Sequence, residues 1–216
     1  MEFPKTHRNK VKRVPQRGHY DQTTIYNILD NAFVCHIGFM IDGQPYVIPT
    51  AYGRSGGKIF IHGSSKSRML LELSKGIPLC LTVTQLNGLV LARSVFHHSM
   101  NYHSAIVFGA ASKLKTGDKL EALQIISDHI LPGRWREARL PNQEELKATL
   151  VLQINIAEAS AKIRTGPPKD DEADYHLPVW AGLLPIITSY DPPVPDPKMR
   201  MALPPPDSIK EFAGKQ

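Results

Sequence analysis

Two dipeptides, Asp42-Gly43 and Asn87-Gly88, each sit between apolar runs. Such pairs supply the positive φ angles of tight two-residue hairpins. They predict antiparallel strands joined directly: residues 33–41 with 44–52, and 78–85 with 89–96. A doubly wound parallel sheet needs a crossover after every strand, and that alternation is missing. The chain is therefore expected to build a mainly β fold from hairpins, with helices filling the gaps.

The helices fall where caps and periodicity agree. Asp21 can cap residues 22–31, where Ile25, Ile28, Leu29 and Ala32 share a face. Residues 58–62 read as a third strand, and 66–75 as a helix stopped by Gly76. A long strand over 102–114 precedes a helix from Asp118 to Leu131, ended by Pro132-Gly133. Its apolar side is predicted to be Leu120, Leu123, Ile126, Ile130 and Leu131. Asn142 can cap a short helix over 143–148. Residues 149–156 alternate as a strand, with room to continue through Lys162. Pro45 and Pro49 lie in the second strand. An interior proline removes a ladder donor and predicts an edge or bulge, whose free backbone can face a ligand. Eight prolines between Pro185 and Pro206 predict an extended tail that wraps a surface. The whole reads as a small Greek-key barrel with flanking helices.

Composition narrows the class. Hydrophobic residues make up 42% and charged residues 21% of 216, which excludes wholesale disorder and collagen-like or disulfide-dense scaffolds. No apolar run approaches the ~18 residues of a membrane span, and residues 1–17 lack the apolar stretch of a secretory signal. The cytoplasm is the expected compartment. Cys35 and Cys80 lie in apolar segments and read as buried reduced thiols, with a disulfide or a two-ligand metal site as the alternatives. The net charge of +6 is concentrated at the start. Lys5, Arg8, Lys10, Lys12, Arg13 and Arg17 face only Glu2, and the remainder is near balance at 20 basic against 19 acidic residues. A basic arm can hold nucleic acid, cover an anionic ligand or simply be solvated. The balanced body carries no nucleic-acid footprint, so neither nucleic acid nor a membrane is expected as a partner.

Chemistry concentrates in two stretches. Ile61-His62-Gly63-Ser64-Ser65-Lys66-Ser67-Arg68 takes a strand into a helix start, where free amides and the helix dipole favour anions. Lys66 and Arg68 in a first turn oppose that dipole, a misfit that a bound phosphate would offset. A solvated polar helix start is the alternative. His97, His98 and His103 lie within seven residues, but their spacing fits neither a helical ligand pair nor a Cys/His framework. They read as a polar loop lining a pocket, with no metal. Tyr102 and Ser104, two apart on a strand, face the same side. No nucleophile elbow, dinucleotide fingerprint, phosphate loop or zinc motif is present. From the residues alone, the chain is a binder of a phosphorylated ligand.

Several runs carry a family likeness: Arg17-Gly18-His19-Tyr20-Asp21, Gln44-Pro45-Tyr46-Val47-Ile48-Pro49-Thr50, Ile61 to Leu70, and Asn87-Gly88-Leu89-Val90-Leu91-Ala92-Arg93-Ser94. So do His97 to Ser104, Pro132-Gly133-Arg134-Trp135, Ala159-Ser160-Ala161-Lys162-Ile163-Arg164 and Trp180-Ala181-Gly182-Leu183-Leu184-Pro185. Together they resemble the pyridoxamine 5′-phosphate oxidase-like flavoproteins, in their nitroimidazole-reductase branch. The resemblance implies a split β-barrel, here over residues 21–166; charge and composition set off a basic N-terminal arm over 1–20 and a proline-rich extension over 167–216 that packs on the barrel or on the dimer partner. The resemblance also implies a homodimer with FMN at the interface. By the family pattern, backbone at Val47, Ile48, Pro49 and Thr50 lies along the flavin. His62, Lys66, Ser67 and Arg68 hold its phosphate, Tyr102 and Ser104 add polar contacts, and Trp180 closes the site. The branch has Arg where this chain has His103, which removes a permanent charge and its fork and weakens the expected grip on FMN. The implied activity is an FMN-dependent oxidoreductase acting on a small electron acceptor, with no side chain assigned as catalytic. The alternative is a non-catalytic flavin-binding or haem-binding protein of the same fold, with His62, His97, His98 and His103 as axial candidates.

Overall fold

Asp42 and Gly43 both adopt positive φ, and the strands they join pair from Ile41↔Gln44 outward. These are β2 (Val34–Ile41) and β3 (Gln44–Ser55) in a computed structural model that describes residues 1–213. They follow a short β1 (Gly18–His19) and α1 (Gln22–Asp30), whose cap Asp21 accepts from the Thr24 amide. Next come β4 (Lys58–Ser64) and α2 (Arg68–Leu73). This helix is shorter than predicted. Ser67 is its N-cap, with Oγ accepting from the Leu70 amide, so Lys66 lies ahead of the helix rather than in its first turn.

The second hairpin expectation fails. Residues 78–91 form one strand, β5 (Pro78–Leu91), and both sides of Asn87-Gly88 pair with β6 (Ser99–Lys113). Neither residue has a positive φ; the register slips between Leu86 and Gly88, so the dipeptide is a bulge and not a turn. The chain reverses later. There Asp170 accepts from the amides of Arg93 and Ser94 at 2.9 and 3.1 Å and fixes the bend.

After α3 (Lys119–Ile130), α4 (Arg134–Glu137) and α5 (Gln143–Ala148), the predicted long strand is two: β7 (Thr149–Asn155) and β8 (Glu158–Arg164). The break lets β7 stay beside β4 while β8 crosses to β6. Strands β2, β3, β4, β7, β6 and β5 thus close a barrel. One edge of β6 carries β8 over residues 102–108 and β7 over 111–113, which is where the barrel splits. β1 adds to β8. The proline-rich tail is extended but not featureless: β9 (Gly182–Pro185) adds to β5, and α6 (Asp207–Ala213) is tied down by Ser208, whose hydroxyl donates to Glu137. No helix among the described residues is long and apolar enough to cross a membrane.

The core fills the barrel with Cys35, Ile37, Phe39, Tyr52, Leu81, Val107 and their neighbours, closed off by Ile25, Leu29, Met69, Leu70 and Leu73 of α1 and α2. Each large side chain so buried contributes about 1.5–3 kcal/mol. Helix α3 lies outside, so close to β3 that a Cβ on Gly53 would stand 2.6 Å from Ile126 Cα. Contact therefore falls on Ala122 and Ile126, while the predicted Leu120 is exposed. Lys119 is drawn in as well, because its ammonium donates to the carbonyls of Leu146 and Thr149. Residues 1–13 do not float. Phe3 and Asn9 are buried, and Asn9 Nδ2 donates to the Ala159 carbonyl at 3.0 Å.

Candidate functional site

Over residues 44–51, β3 pairs with β2 alone, and β4 joins only from Tyr52 onward. The other edge of that stretch is open, as the two prolines predicted, and its backbone groups are available to a ligand. Strand alternation sorts its side chains. Tyr46, Ile48 and Tyr52 pack on the core, so Thr50 shares their inward side while Val47 and Pro49 face out. Val47 is 68% exposed.

The outward positions continue across the sheet. Pro49 stands opposite His36, His36 opposite Thr82, and Thr82 opposite Ile106. One step along, Thr84 stands opposite Ser104 and Ser104 opposite Lys162. The outer face of β3, β2, β5, β6 and β8 is one surface. It carries Val47 and Pro49 on the same face as Tyr102 and Ser104, three strand spacings away. It also adds residues that the sequence reading missed: His36, Thr82, Thr84 and Lys162. The alternation of β5, with Leu79, Leu81 and Val83 in the core, is the signal that would have found the two threonines. His103 has the inward parity of Ala105 and Val107, so it lies on the opposite side of β6 from Tyr102 and Ser104.

At the β4–α2 turn the cradle differs from expectation in its amides. Those of Ser65, Lys66 and Ser67 already donate to the Ala148 carbonyl, Ser64 Oγ and the Ser64 carbonyl, at 2.8, 3.2 and 2.9 Å. A short polar turn satisfies its own backbone first. What the turn offers a ligand is its cations. Lys66 is exposed, and the Arg68 guanidinium lies 4.7 Å from the Tyr46 ring centroid. This contact joins the helix start to β3 beside Val47. His62 shares the outward parity of Phe60, which packs under α3. Burial pushes its pKa down and keeps the ring neutral, and its Nδ1 is buried with no hydrogen-bond partner.

Trp180 is not brought to this surface. It packs over Gly182, where a Cβ would stand 2.9 Å from its ring. Gly182 pairs with Leu91, seven residues beyond Thr84, or roughly 23 Å along the strand. Trp180 is 68% exposed there, on the same protruding ribbon as Val95 and Phe96, at 80% and 87%. His97 reaches Asp171 at 3.4 Å, and His98 Nε2 lies 3.1 Å from the Ala92 carbonyl. Asp174 stands within the same small cluster as His97 and Asp171; these acidic neighbours come from beyond residue 166 and could not be seen from local spacing. The two thiols are free. Burial raises both, Cys35 to about 12.

The family model described as pyridoxamine 5′-phosphate oxidase matches residues 21–163. The chain belongs to the pyridoxamine 5′-phosphate oxidase family. Within that fold it is similar to the flavocytochrome of Azotobacter vinelandii, at 41% identity and TM-score 0.90, over 96% of this chain and 97% of that one. It is also similar to an FAD- and haem-binding protein of Mycobacterium smegmatis, at 33% identity and TM-score 0.88, over 91% and 97%. A Bacteroides thetaiotaomicron protein assigned to 5-nitroimidazole resistance shares the fold alone, at 21% identity and TM-score 0.54, over 66% and 84%. No curated protein sequence matches.

Proposed function

We propose that this family member is a flavin-binding redox protein that also carries a haem. The observation that carries the flavin half is the shared outer face. The open β3 edge at Val47 to Thr50, with the hydroxyls of Thr82, Thr84 and Ser104 on its outer side and the cation of Arg68 over Tyr46 on its inner side, suits a planar ring whose phosphorylated tail passes over that edge. Arg68 and Lys66 would hold the phosphate, and the backbone of Val47 to Thr50 would lie along the ring. A bound flavin supplies the electron-transfer chemistry; the chain's residues bind it, orient it and exclude water. FMN is the flavin of the sequence reading, and the M. smegmatis relative is described as binding FAD. Transfer of electrons to a small acceptor remains the expected use.

The haem half is supported by the two relatives described above. In this chain the fitting residues are His97 and His98. One ring nitrogen of each is engaged, by Asp171 and the Ala92 carbonyl. That arrangement orients an imidazole and leaves its other nitrogen for iron. The exposed Val95 and Phe96 beside them offer apolar surface. Exposed Met40 and Val47 on the sheet face, and Phe96 and Trp180 on the ribbon, support a homodimer in which each copy covers the other's site. Free Cys35 and Cys80 accord with a reducing compartment such as the cytoplasm.

The test is the absorption spectrum of the protein purified without added cofactor. Flavin bands with a Soret band are expected. His97→Ala with His98→Ala should remove the Soret band and spare the flavin. A folded protein that takes up no flavin when supplied with FMN or FAD overturns the reading.

A further inference from the structure

His36 stands in the middle of the outer face. It lies opposite Pro49 on one side and Thr82 on the other, and it is exposed. Pro49 and Thr82 are two strand spacings apart, about 10 Å. A flavin ring that touches both the open β3 edge and the hydroxyls of β5 therefore has to pass over His36. The ground beside the imidazole is low. Gly38, two residues along β2 on the same side, carries no side chain, and an added Cβ there would stand 3.6 Å from the Cys80 carbonyl oxygen, its nearest neighbour.

His36 is also the free donor of its row. Pro49 and Ile106 have no side-chain proton to give, and the Thr82 hydroxyl donates to the Ala105 carbonyl at 3.2 Å. Among the described residues, the histidine rings that meet a backbone carbonyl are those of His98 and His129, and the one that meets a carboxylate is His97. His36 has neither kind of partner. The outward side chains around it, on β2, β3 and β5, are Val34, Val47, Pro49, Cys80 and Thr82. Cys80 is the titratable group among them, and burial raises its thiol, so it is uncharged near pH 7. The charged groups of the face lie further off. Lys162 sits beyond Thr84 and Ser104, and Glu158 is held by Thr6 and Arg8. A donor with no acceptor of its own is left facing the ring.

We propose that His36 sets the redox balance of the flavin by donating a hydrogen bond to the bound ring, an inference that rests on the flavin reading above. At neutral pH a flavin takes up more electrons than protons when it is reduced, and so gains negative charge. A donor fixed on a strand favours that charged form over the oxidised one. The imidazole makes and breaks no covalent bond. It binds the reduced flavin more tightly than the oxidised flavin, and by linkage this preference is a rise in midpoint potential. A tenfold preference corresponds to about 30 mV for a two-electron couple.

The test measures the midpoint potential of the flavin-loaded protein, and its dissociation constants for the oxidised and reduced forms of the flavin it retains, FMN or FAD. It compares the native chain with His36→Leu, His36→Gln and His36→Lys. The side chain is exposed, so the variants leave the core intact, and a melting curve checks each one. His36→Leu should lower the potential by about 30 mV, through roughly tenfold weaker binding of the reduced form, with binding of the oxidised form nearly unchanged. His36→Lys restores a charged donor and should recover most of the drop; His36→Gln restores an uncharged donor and should recover part of it. A role in packing alone would weaken both forms equally, leave the potential where it was and gain nothing from lysine, and that result overturns the proposal. So does bound flavin with the same potential and the same affinities in native and His36→Leu protein, which leaves the flavin reading standing. A folded native protein that takes up no flavin overturns both.

Discussion

The guanidinium of Arg68 lies 4.7 Å from the centre of the Tyr46 ring. It ties the first residue of α2 to the open edge of β3, two features that sequence distance keeps apart. Tyr46 in turn stacks on Phe39 at 5.5 Å, so the cation rests on a rigid aromatic wall. Replacing Arg68 by Ala should weaken flavin binding by about 1.5–3 kcal/mol, roughly tenfold or more in Kd. Thermal stability should change little, because Arg68 makes no ion pair among the described residues. Flavin fluorescence titration beside a melting curve separates the two effects.

Gly53 reports on the packing of α3. Its missing Cβ would fall 2.6 Å from Ile126 Cα and 2.8 Å from Ile126 N. Backbone cannot move aside as a side chain can. Gly53→Ala should cost about 1–3 kcal/mol of stability, the usual range for overpacking. Gly57→Ala, whose Cβ would meet only the Tyr26 hydroxyl at 3.7 Å, should cost far less. Denaturant unfolding of the two variants makes the comparison.

The thiols should be inert in the folded state. Cys35 points into the barrel and Cys80 out of it, on opposite faces of paired strands, so no disulfide joins them. With the Cys35 pKa raised to about 12, about one molecule in ten thousand is thiolate there at pH 8. An aromatic disulfide reagent should label neither thiol promptly in native protein and both in denaturant. Prompt labelling of Cys35 in the native state would contradict its placement.

Asp170 gives the acid side of the stability curve a definite sign. Burial opposes its ionisation, but the Arg93 and Ser94 amides and the Arg93 guanidinium outweigh it, so its pKa lies below the ordinary 3.8. A carboxyl held below its unfolded value stabilises the fold above that value and loses this contribution as the pH falls through the folded one. Part of the decline in Tm below pH about 4 should therefore disappear in Asp170→Asn. That variant should also melt lower than the native protein at pH 7.

The contrast between Asp42-Gly43 and Asn87-Gly88 shows what the chain made legible. Both pairs permit a turn, but only the first has strands of matching length that need one. Around the second, residues 82–86 and 88–90 all find partners on one strand, and that long-range choice leaves no local trace. The Asn142 cap, with its reciprocal bonds to Glu145, and the Asp21 cap were readable because their partners lie three residues away. The outer face was half readable. Alternation put Tyr102 and Ser104 on one side, yet their alignment with Pro49 through His36 and Thr82 depends on the registers of three strand pairs. The use of the turn amides at Ser65 to Ser67 was hidden for a similar reason, since one acceptor is the carbonyl of Ala148, far along the chain.

The anchoring of the arm has a bearing on biosynthesis. Arg8 meets Glu158 across 150 positions, so the basic segment is made long before the strand that it rests on. Contacts of such span close late and slow folding. A nascent chain halted ahead of β8 would expose this cationic segment to every nucleic acid in reach, and only a finished barrel takes that stretch out of circulation.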